Sequence, residues 1–315
     1  VTETGYIKRS PIDTFRTQQR GGKGVTGATL KDEDAISALY LANTHDNMMF
    51  FTNKGSVFQI KVYELPEGSR IAKGQAIINL INIEQGELVT SMFNVPKTVK
   101  SGFVFMGTKK GIVKKTNLLE FANIRRSGII AINLSSGDSL NFVNLTSGKD
   151  SIIMATRRGQ SIRYSENDVR SMGRATAGVM GIRLGKDDEV ICTDIAPSEG
   201  ELLVVTENGL GKKSKISDWP MQKRAGSGVK AADVTARTGK VMAARVLSKA
   251  DQDVIITSKG GQVIKLPLKD IPLLTRQTQG VILIRLAKKD DSVAAVTTIR
   301  KEPKQDEKPK VKTKN

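Results

Sequence analysis

The tetrapeptide Thr-x-x-Gly returns six times, ending at Gly5, Gly55, Gly111, Gly159, Gly209 and Gly260, so successive copies lie 50, 56, 48, 50 and 51 residues apart. A period of that size along a whole chain means one supersecondary unit repeated and stacked. The flanks repeat too. An apolar run precedes the Thr, as in Met48–Phe51, Ile152–Ala155, Leu202–Val205 and Val254–Ile256, and a short alternating run follows the Gly. Two β-rich runs around a turn closed by glycine describe a hairpin. About fifteen residues on, an Arg-x-x-x-Gly loop runs from Arg20 to Gly24, Arg70 to Gly74, Arg174 to Gly178, Arg224 to Gly228 and Arg276 to Gly280, tightened in one copy to Arg125-Arg126-Ser127-Gly128. A third strand then closes on an aliphatic residue (Leu30, Leu80, Leu134, Leu184, Val234, Leu286), and a polar turn leads to a fourth.

Six units of four short strands, with no convincing amphipathic helix, predict an all-β fold: a propeller-like disc of six blades over residues 1–300, each blade burying its faces against its neighbours. Two β-sandwiches in tandem are the competing architecture, and they leave a single full-length period unexplained. Residues 301–315 are lysine-rich and offer only Val311 as an aliphatic, so a basic disordered tail is expected there.

The 315 residues carry 50 Lys+Arg against 32 Asp+Glu, a net charge of +18, which calls for a polyanionic partner: nucleic acid, an acidic membrane or a heparin-like polymer. Cations recur at equivalent repeat positions. They stand in the turns (Lys54, Lys109, Lys110, Arg157, Arg158, Lys259), in the second strands (Lys8, Arg9, Lys61, Lys114, Lys115, Arg163, Lys212, Lys213, Lys265) and in the arginine loops (Arg70, Arg125, Arg126, Arg174, Arg224, Arg276). Equivalent positions in a ring share an edge, so a basic track is expected. Aromatics make up 4% of the chain, too few for the base stacking that single strands need, which favours duplex held by its phosphates.

The first arginine loop, Gln18-Gln19-Arg20-Gly21-Gly22-Lys23-Gly24, is the richest in glycine. Its glycines let a backbone come close while Arg20 and Lys23 supply charge. In register with its relatives, this loop resembles the signature box of the C-terminal domain of bacterial DNA gyrase A subunits, with Gln19 replacing an arginine. Gly5-Tyr6-Ile7-Lys8 and Leu41-Ala42-Asn43-Thr44-His45-Asp46 are similar to that family as well. The resemblance covers essentially residues 1 to 300. It implies a six-bladed β-pinwheel, in which neighbouring blades exchange strands, and a non-catalytic module that wraps double-stranded DNA around its rim. It further implies that the wrap presents a positive crossing to an upstream gyrase A catalytic core, working with the gyrase B subunit in an A2B2 assembly. ATP and Mg would serve that parent complex and its negative supercoiling, with no cofactor in this domain. The topoisomerase IV type of the same domain, in which the box is eroded, is the alternative within the family.

Other functions find little in the chain. His45 is the sole histidine and Cys192 the sole cysteine, so a His-rich metal site and an intrachain disulfide are excluded. No Gly-x-x-x-x-Gly-Lys-Ser/Thr occurs; Gly211-Lys212-Lys213-Ser214 shares only its composition. The four tyrosines fall in or beside predicted strands, and none is proposed as a DNA-cleaving nucleophile. A propeller scaffold for acidic proteins is a rival; it predicts charge in one patch instead of around the ring. No apolar run could span a bilayer and no signal peptide is recognisable, so a cytoplasmic, nucleoid-associated setting without a membrane is expected. A first residue that is Val, not Met, fits a piece of a longer protein.

Overall fold

The computed structural model describes residues 1–2, 4–11, 40, 42–69, 72, 74–288 and 290–300. The described strands form six sheets, one for each Thr-x-x-Gly copy. The fourth repeat shows the pattern. Ser151–Thr156 is central, flanked by Gln160–Ser165 on one side and Val190–Ile195 on the other, all antiparallel. The fourth member of that sheet is Val229–Lys230, which comes from the next repeat. Strands are therefore exchanged, and the same exchange pairs Ile129–Ile130, Val179–Met180 and Val281–Ile282 with the second strand of the preceding blade. In the first sheet Gln75–Ala76 pairs with Tyr6–Ile7. The last sheet has three described strands, Val263–Pro267, Asp251–Ser258 and Val293–Arg300.

In the second to fifth repeats the first strand of the hairpin is an unbroken apolar run because both of its faces are covered. Phe103–Thr108 sends Val104 and Met106 into a cluster with Met49, Phe51 and Val57 of the preceding blade, while Phe105 joins Ile152, Met154 and Ile162 of the following one. Period-two alternation thus serves two neighbours instead of core and solvent. Among the described residues the core is accordingly divided into five clusters, each lying between successive blades.

The Thr and Gly of the repeated tetrapeptide have defined tasks. The Thr52, Thr108 and Thr156 hydroxyls accept from the backbone N–H four residues on, and Gly55, Gly111 and Gly159 take φ near +80°. The sixth copy sits one residue later than the sequence reading placed it. Ser258 Oγ accepts from Gln262 N, and Gly261, at φ +83°, fills the role assigned to Gly260. The third strands are also shorter than expected, two residues each, and a single turn of 3₁₀ helix follows the second strands, as at Leu118–Phe121 and Ile216–Asp218. Such short turns carry no amphipathic period that a sequence could display.

Fourth strands of successive blades converge. Thr90 Oγ1 donates to Leu140 O (2.8 Å) and Asn144 Nδ2 to Thr193 O (3.0 Å), bridging one fourth strand to the next. They lie at the inside of the ring, so the exchanged strands at the opposite sheet edge form the outside.

Gly228 opens an exchanged strand at φ +74°, and a Cβ there would stand 2.1 Å from Ser161 O of the blade it completes. Gly228→Ala is expected to cost about 1–3 kcal/mol from backbone strain and displacement of that junction, read as a lower urea midpoint. An unchanged midpoint would show that the exchange tolerates a side chain at its entrance.

Candidate nucleic-acid interface

After each second strand the chain crosses the outside of the preceding blade before entering it, and the arginine loop lies on this crossing. Residue-by-residue bridges place Ser171 beside Lys115, Met221 beside Arg163 and Leu273 beside Lys213. The outer edge of every such second strand is therefore lined by the next repeat's loop. This placement divides the sequence-predicted cations into three groups.

The second-strand cations are largely interior, contrary to the expectation of direct DNA contact. Lys114 is 0% exposed, Lys212 1%, Lys115 5% and Arg163 9%. The alternating pattern of these strands suggested a solvent face, but neighbouring blades cover the faces and the next loop covers the edge. Each charge is met by carbonyl oxygens, as a buried cation must be. Lys114 Nζ donates to the carbonyls of Ala131 (2.8 Å), Thr176 (3.2 Å) and Arg174. Lys212 Nζ donates to Thr275 O (2.7 Å), Arg276 O (2.5 Å) and Thr278 Oγ1 (3.2 Å). Burial brings the pKa of each down to about 8. Lys115 Nζ bonds Glu166 O and stands 5.1 Å from the Phe103 ring centre, and Arg163 reaches Ile216 O and Trp219 O. Lys8 is half-buried on Ser69 O and Ala72 O, and burial lowers its pKa. Arg9 pairs with Glu67, Lys213 with Glu201 and Lys265 with Asp253, while Lys61 reaches His45 O at 3.5 Å.

The turn cations lie at the opposite end of the strands and face carboxylates. Lys109 pairs with Glu189 (2.8 Å), Arg157 with both Glu189 (3.0 Å) and Glu207 (2.6 Å), and Lys54 with Glu84 (2.8 Å). Lys110 Nζ bonds Ser136 O, and Arg158 and Lys259 are exposed. Lys109–Glu189 and Arg157–Glu207 link the turns of three successive blades into a ladder of mixed sign, not a uniformly basic track.

The arginine loops occupy the outside. Arg125 and Arg126 are exposed; Arg174, Arg224 and Arg276 are half-exposed. Arg224 donates Nε to Asp168 O (2.9 Å) and Nη1 to Met180 O (3.0 Å). Arg276 makes the equivalent bonds, to Asp218 O (3.1 Å) and Lys230 O (3.0 Å). Each guanidinium thus bridges its own loop to the preceding one, and two of its five N–H donors are engaged. Arg170, Arg183 and Lys223, not singled out in the sequence, are exposed beside these loops, and Arg183 N donates to Gly226 O. Their signal was adjacency to the arginine loop, which the repeat spacing could have supplied. Gln18, Gln19, Arg20, Gly21, Gly22, Lys23, Gly24 and Arg70 lie outside the described residues. Cys192 is buried, which raises its pKa and leaves it a packed thiol.

Comparison with known proteins places this architecture. The sequence profile described as "DNA gyrase C-terminal domain, beta-propeller" matches six times, over residues 1–43, 46–96, 102–147, 150–191, 200–248 and 252–300. The DNA gyrase A subunit of Salmonella typhimurium is 41% identical over 98% of this chain and 35% of its own length; that of Staphylococcus aureus is 40% identical over 98% and 35%. The chain spans about a third of the length of the curated relatives it matches. Among solved structures, the C-terminal domain of DNA topoisomerase IV superposes with a TM-score of 0.81 at 25% identity, covering 95% of this chain and 92% of that one. A DNA gyrase A C-terminal domain gives 0.71 at 25% identity, covering 95% and 97%.

The ladder generates a pH prediction. Hydrogen bonding from Lys109, joined by Arg157 and opposed by burial, holds the Glu189 carboxyl below its ordinary value of 4.5. A depressed folded-state pKa contributes stability above the unfolded value that is lost as pH falls through the folded one. Glu189→Gln is therefore expected to flatten the loss of thermal stability below about pH 4.5, and an unchanged acid limb in a thermal melt would count against the ladder.

Proposed function

Because the chain belongs to the DNA gyrase C-terminal domain family, we propose that it binds double-stranded DNA along the outer edge of its ring and wraps it there, without itself cleaving the duplex. The observation that carries this reading is the repeated arginine loop on the outside, where Arg224 and Arg276 are braced by equivalent carbonyls with N–H donors to spare. A braced guanidinium suits phosphate, because its fork is already oriented and loses little entropy on binding. Bending stiff duplex costs about 1–6 kcal/mol per 20–30 bp, so contacts spread over many blades are needed to offset it. Contacts of this kind are indifferent to sequence and sensitive to salt.

The net charge of +18 is consistent with the same partner. With most second-strand cations buried or half-buried and Lys54, Lys109 and Arg157 facing carboxylates, the interface centres on the arginine loops, their flanking cations and the Gln18–Gly24 box, and Arg158 and Lys259 are left as exposed turn cations. In the whole protein this domain would hand a positively crossed segment to an upstream gyrase A core, with gyrase B in an A2B2 assembly. That assembly would use ATP and Mg to introduce negative supercoils in a bacterial cytoplasm. No helix among the described residues is long and apolar enough to cross a membrane.

A topoisomerase IV-type role is the second reading, favoured by the higher TM-score of that domain. A topological assay separates the two. Relaxed circular DNA incubated with the domain, sealed by a topoisomerase I and stripped of protein is expected to gain positive linking number in proportion to bound domain. Arg20→Ala with Lys23→Ala is expected to lower the gain. Binding without any shift would exclude wrapping and leave a basic disc that adheres to DNA. Replacing Arg125 and Arg126 together by Ala is expected to reduce the slope of log affinity against log salt by about 2, and an unchanged slope would remove that loop from the interface.

A further inference from the structure

The lysines that the fold buries are not distributed evenly. Strand register defines one equivalent position in each second strand: Phe58 opposite Phe50, Lys114 opposite Met106, Ile162 opposite Met154, Lys212 opposite Val204 and Ile264 opposite Ile256. Three residues past Gly5, Lys8 holds the same place in the first repeat. Lysine and an apolar residue therefore alternate from blade to blade. The loop that each one meets alternates with it. Lys8, Lys114 and Lys212 bond the backbones of loops carrying Ala72, Thr176 and Thr278 two residues after the arginine. Ile162 instead lies under Gly226, which stands where those loops carry Ala or Thr and whose Cβ would come within 3.5 Å of Ile162 Cδ1, while Phe58 packs its ring under Gly128, the closing glycine of its loop.

We propose that Lys114 and Lys212 are positioning residues for DNA wrapping: buried at alternate blade junctions, their ammonium groups clamp the next repeat's arginine loop and set where Arg174 and Arg276 stand on the rim. The proposal rests on the wrapping reading above. Lys114 grips the carbonyl of Arg174 itself and that of Thr176, and Lys212 grips the carbonyls of Thr275 and Arg276 with the hydroxyl of Thr278. In both cases the three ammonium hydrogens meet three oxygens, two of them in the loop for Lys114 and all three for Lys212. The junctions at Phe58 and Ile162 have no ammonium grip; at Ile162 the loop is held by its backbone, through Gln222 N to Arg163 O and Arg183 N to Gly226 O, and by the Arg224 guanidinium. DNA following the rim would thus meet arginines in two settings that repeat every second blade.

Proton loss offers a reading of the clamp that needs no mutation. A neutral amine has two hydrogens for three acceptors, so the clamp loosens as pH rises past about 8. The charged groups facing Lys114 are Glu120 and Arg174; those facing Lys212 are Arg276, Asp218 and Asp233. Both lysines have a folded-state pKa below the unfolded value of 10.5. The unfolded chain consequently binds more protons between these values, and their contribution to global stability rises with pH in this window. Wrapping and folding are then expected to part company.

The experiment measures linking-number shift per bound domain between about pH 7 and about pH 9, with thermal melts at each pH, for wild type, Lys114→Met with Lys212→Met, and Ile162→Val. Wild type is expected to lose shift across the window without losing its melting temperature. The double variant should give about half the wild-type shift at neutral pH, with no pH dependence, and bind DNA at low salt. Ile162→Val should follow wild type. A folded double variant with the full shift, or a wild-type shift that is constant over the window, overturns the clamp while leaving wrapping intact. A wild-type domain that shifts no links at any pH overturns the wrapping reading and the clamp with it.

Discussion

Backbone hydrogen bonding across repeat boundaries is what the rest of this structure depends on. In the four-stranded sheets no repeat completes its own outer edge; two residues from the next one do so. To reach that edge the chain must cross the outer face of the preceding blade, and the crossing brings the arginine loop onto the second strand. The same step leaves loop carbonyls facing inward, where they need donors. Lysine ammonium groups from below and arginine guanidinium groups from the side provide them. Exchange, buried lysine and bracing arginine are thus three consequences of one connection.

Electrostatics in this ring is therefore mostly internal. A chain with a large positive excess suggests cations turned to solvent, yet Lys114 and Lys212 are among the largest fully buried side chains in the molecule. Their charge is tolerated because fixed carbonyl dipoles replace the lost water, although burial still pulls their pKa down. Among the cations available to a partner are those on the crossing loops, whose own backbones Lys114 and Lys212 hold. Position along a repeat does not determine the role of a charge; which neighbouring segment lies over it does.

Much of the architecture was legible in the sequence because it is written in residue types with local meaning. Thr and Gly at the turns, the apolar central strands and the arginine loops all obey short-range rules, so the all-β repeat and the strand order within it followed. What escaped was which side chains the contact between repeats would cover. Lys114 and Val113 both look like members of an alternating strand, and nothing local says that residues 172–176 will cover them. The sixth turn was misplaced by one residue because Ser258 can do the work of Thr, with Gly261 following, a substitution that matching on Thr alone misses. The 3₁₀ turns left no trace because three or four residues cannot carry a period.

The alternation of lysine-held and glycine-packed junctions also bears on how such a ring could be assembled by duplication. Lysines at this place meet loops carrying Ala72, Thr176 or Thr278, whereas Ile162 meets Gly226 and Phe58 meets the shortened loop that closes on Gly128. Losing one repeat would set an ammonium group beneath a loop whose carbonyls are already engaged, as Gly226 O is by Arg183 N, or an apolar residue beneath carbonyls left without a donor. Losing two in succession would restore every match. In terms of matched junctions, the repeating unit of this ring is a pair of blades.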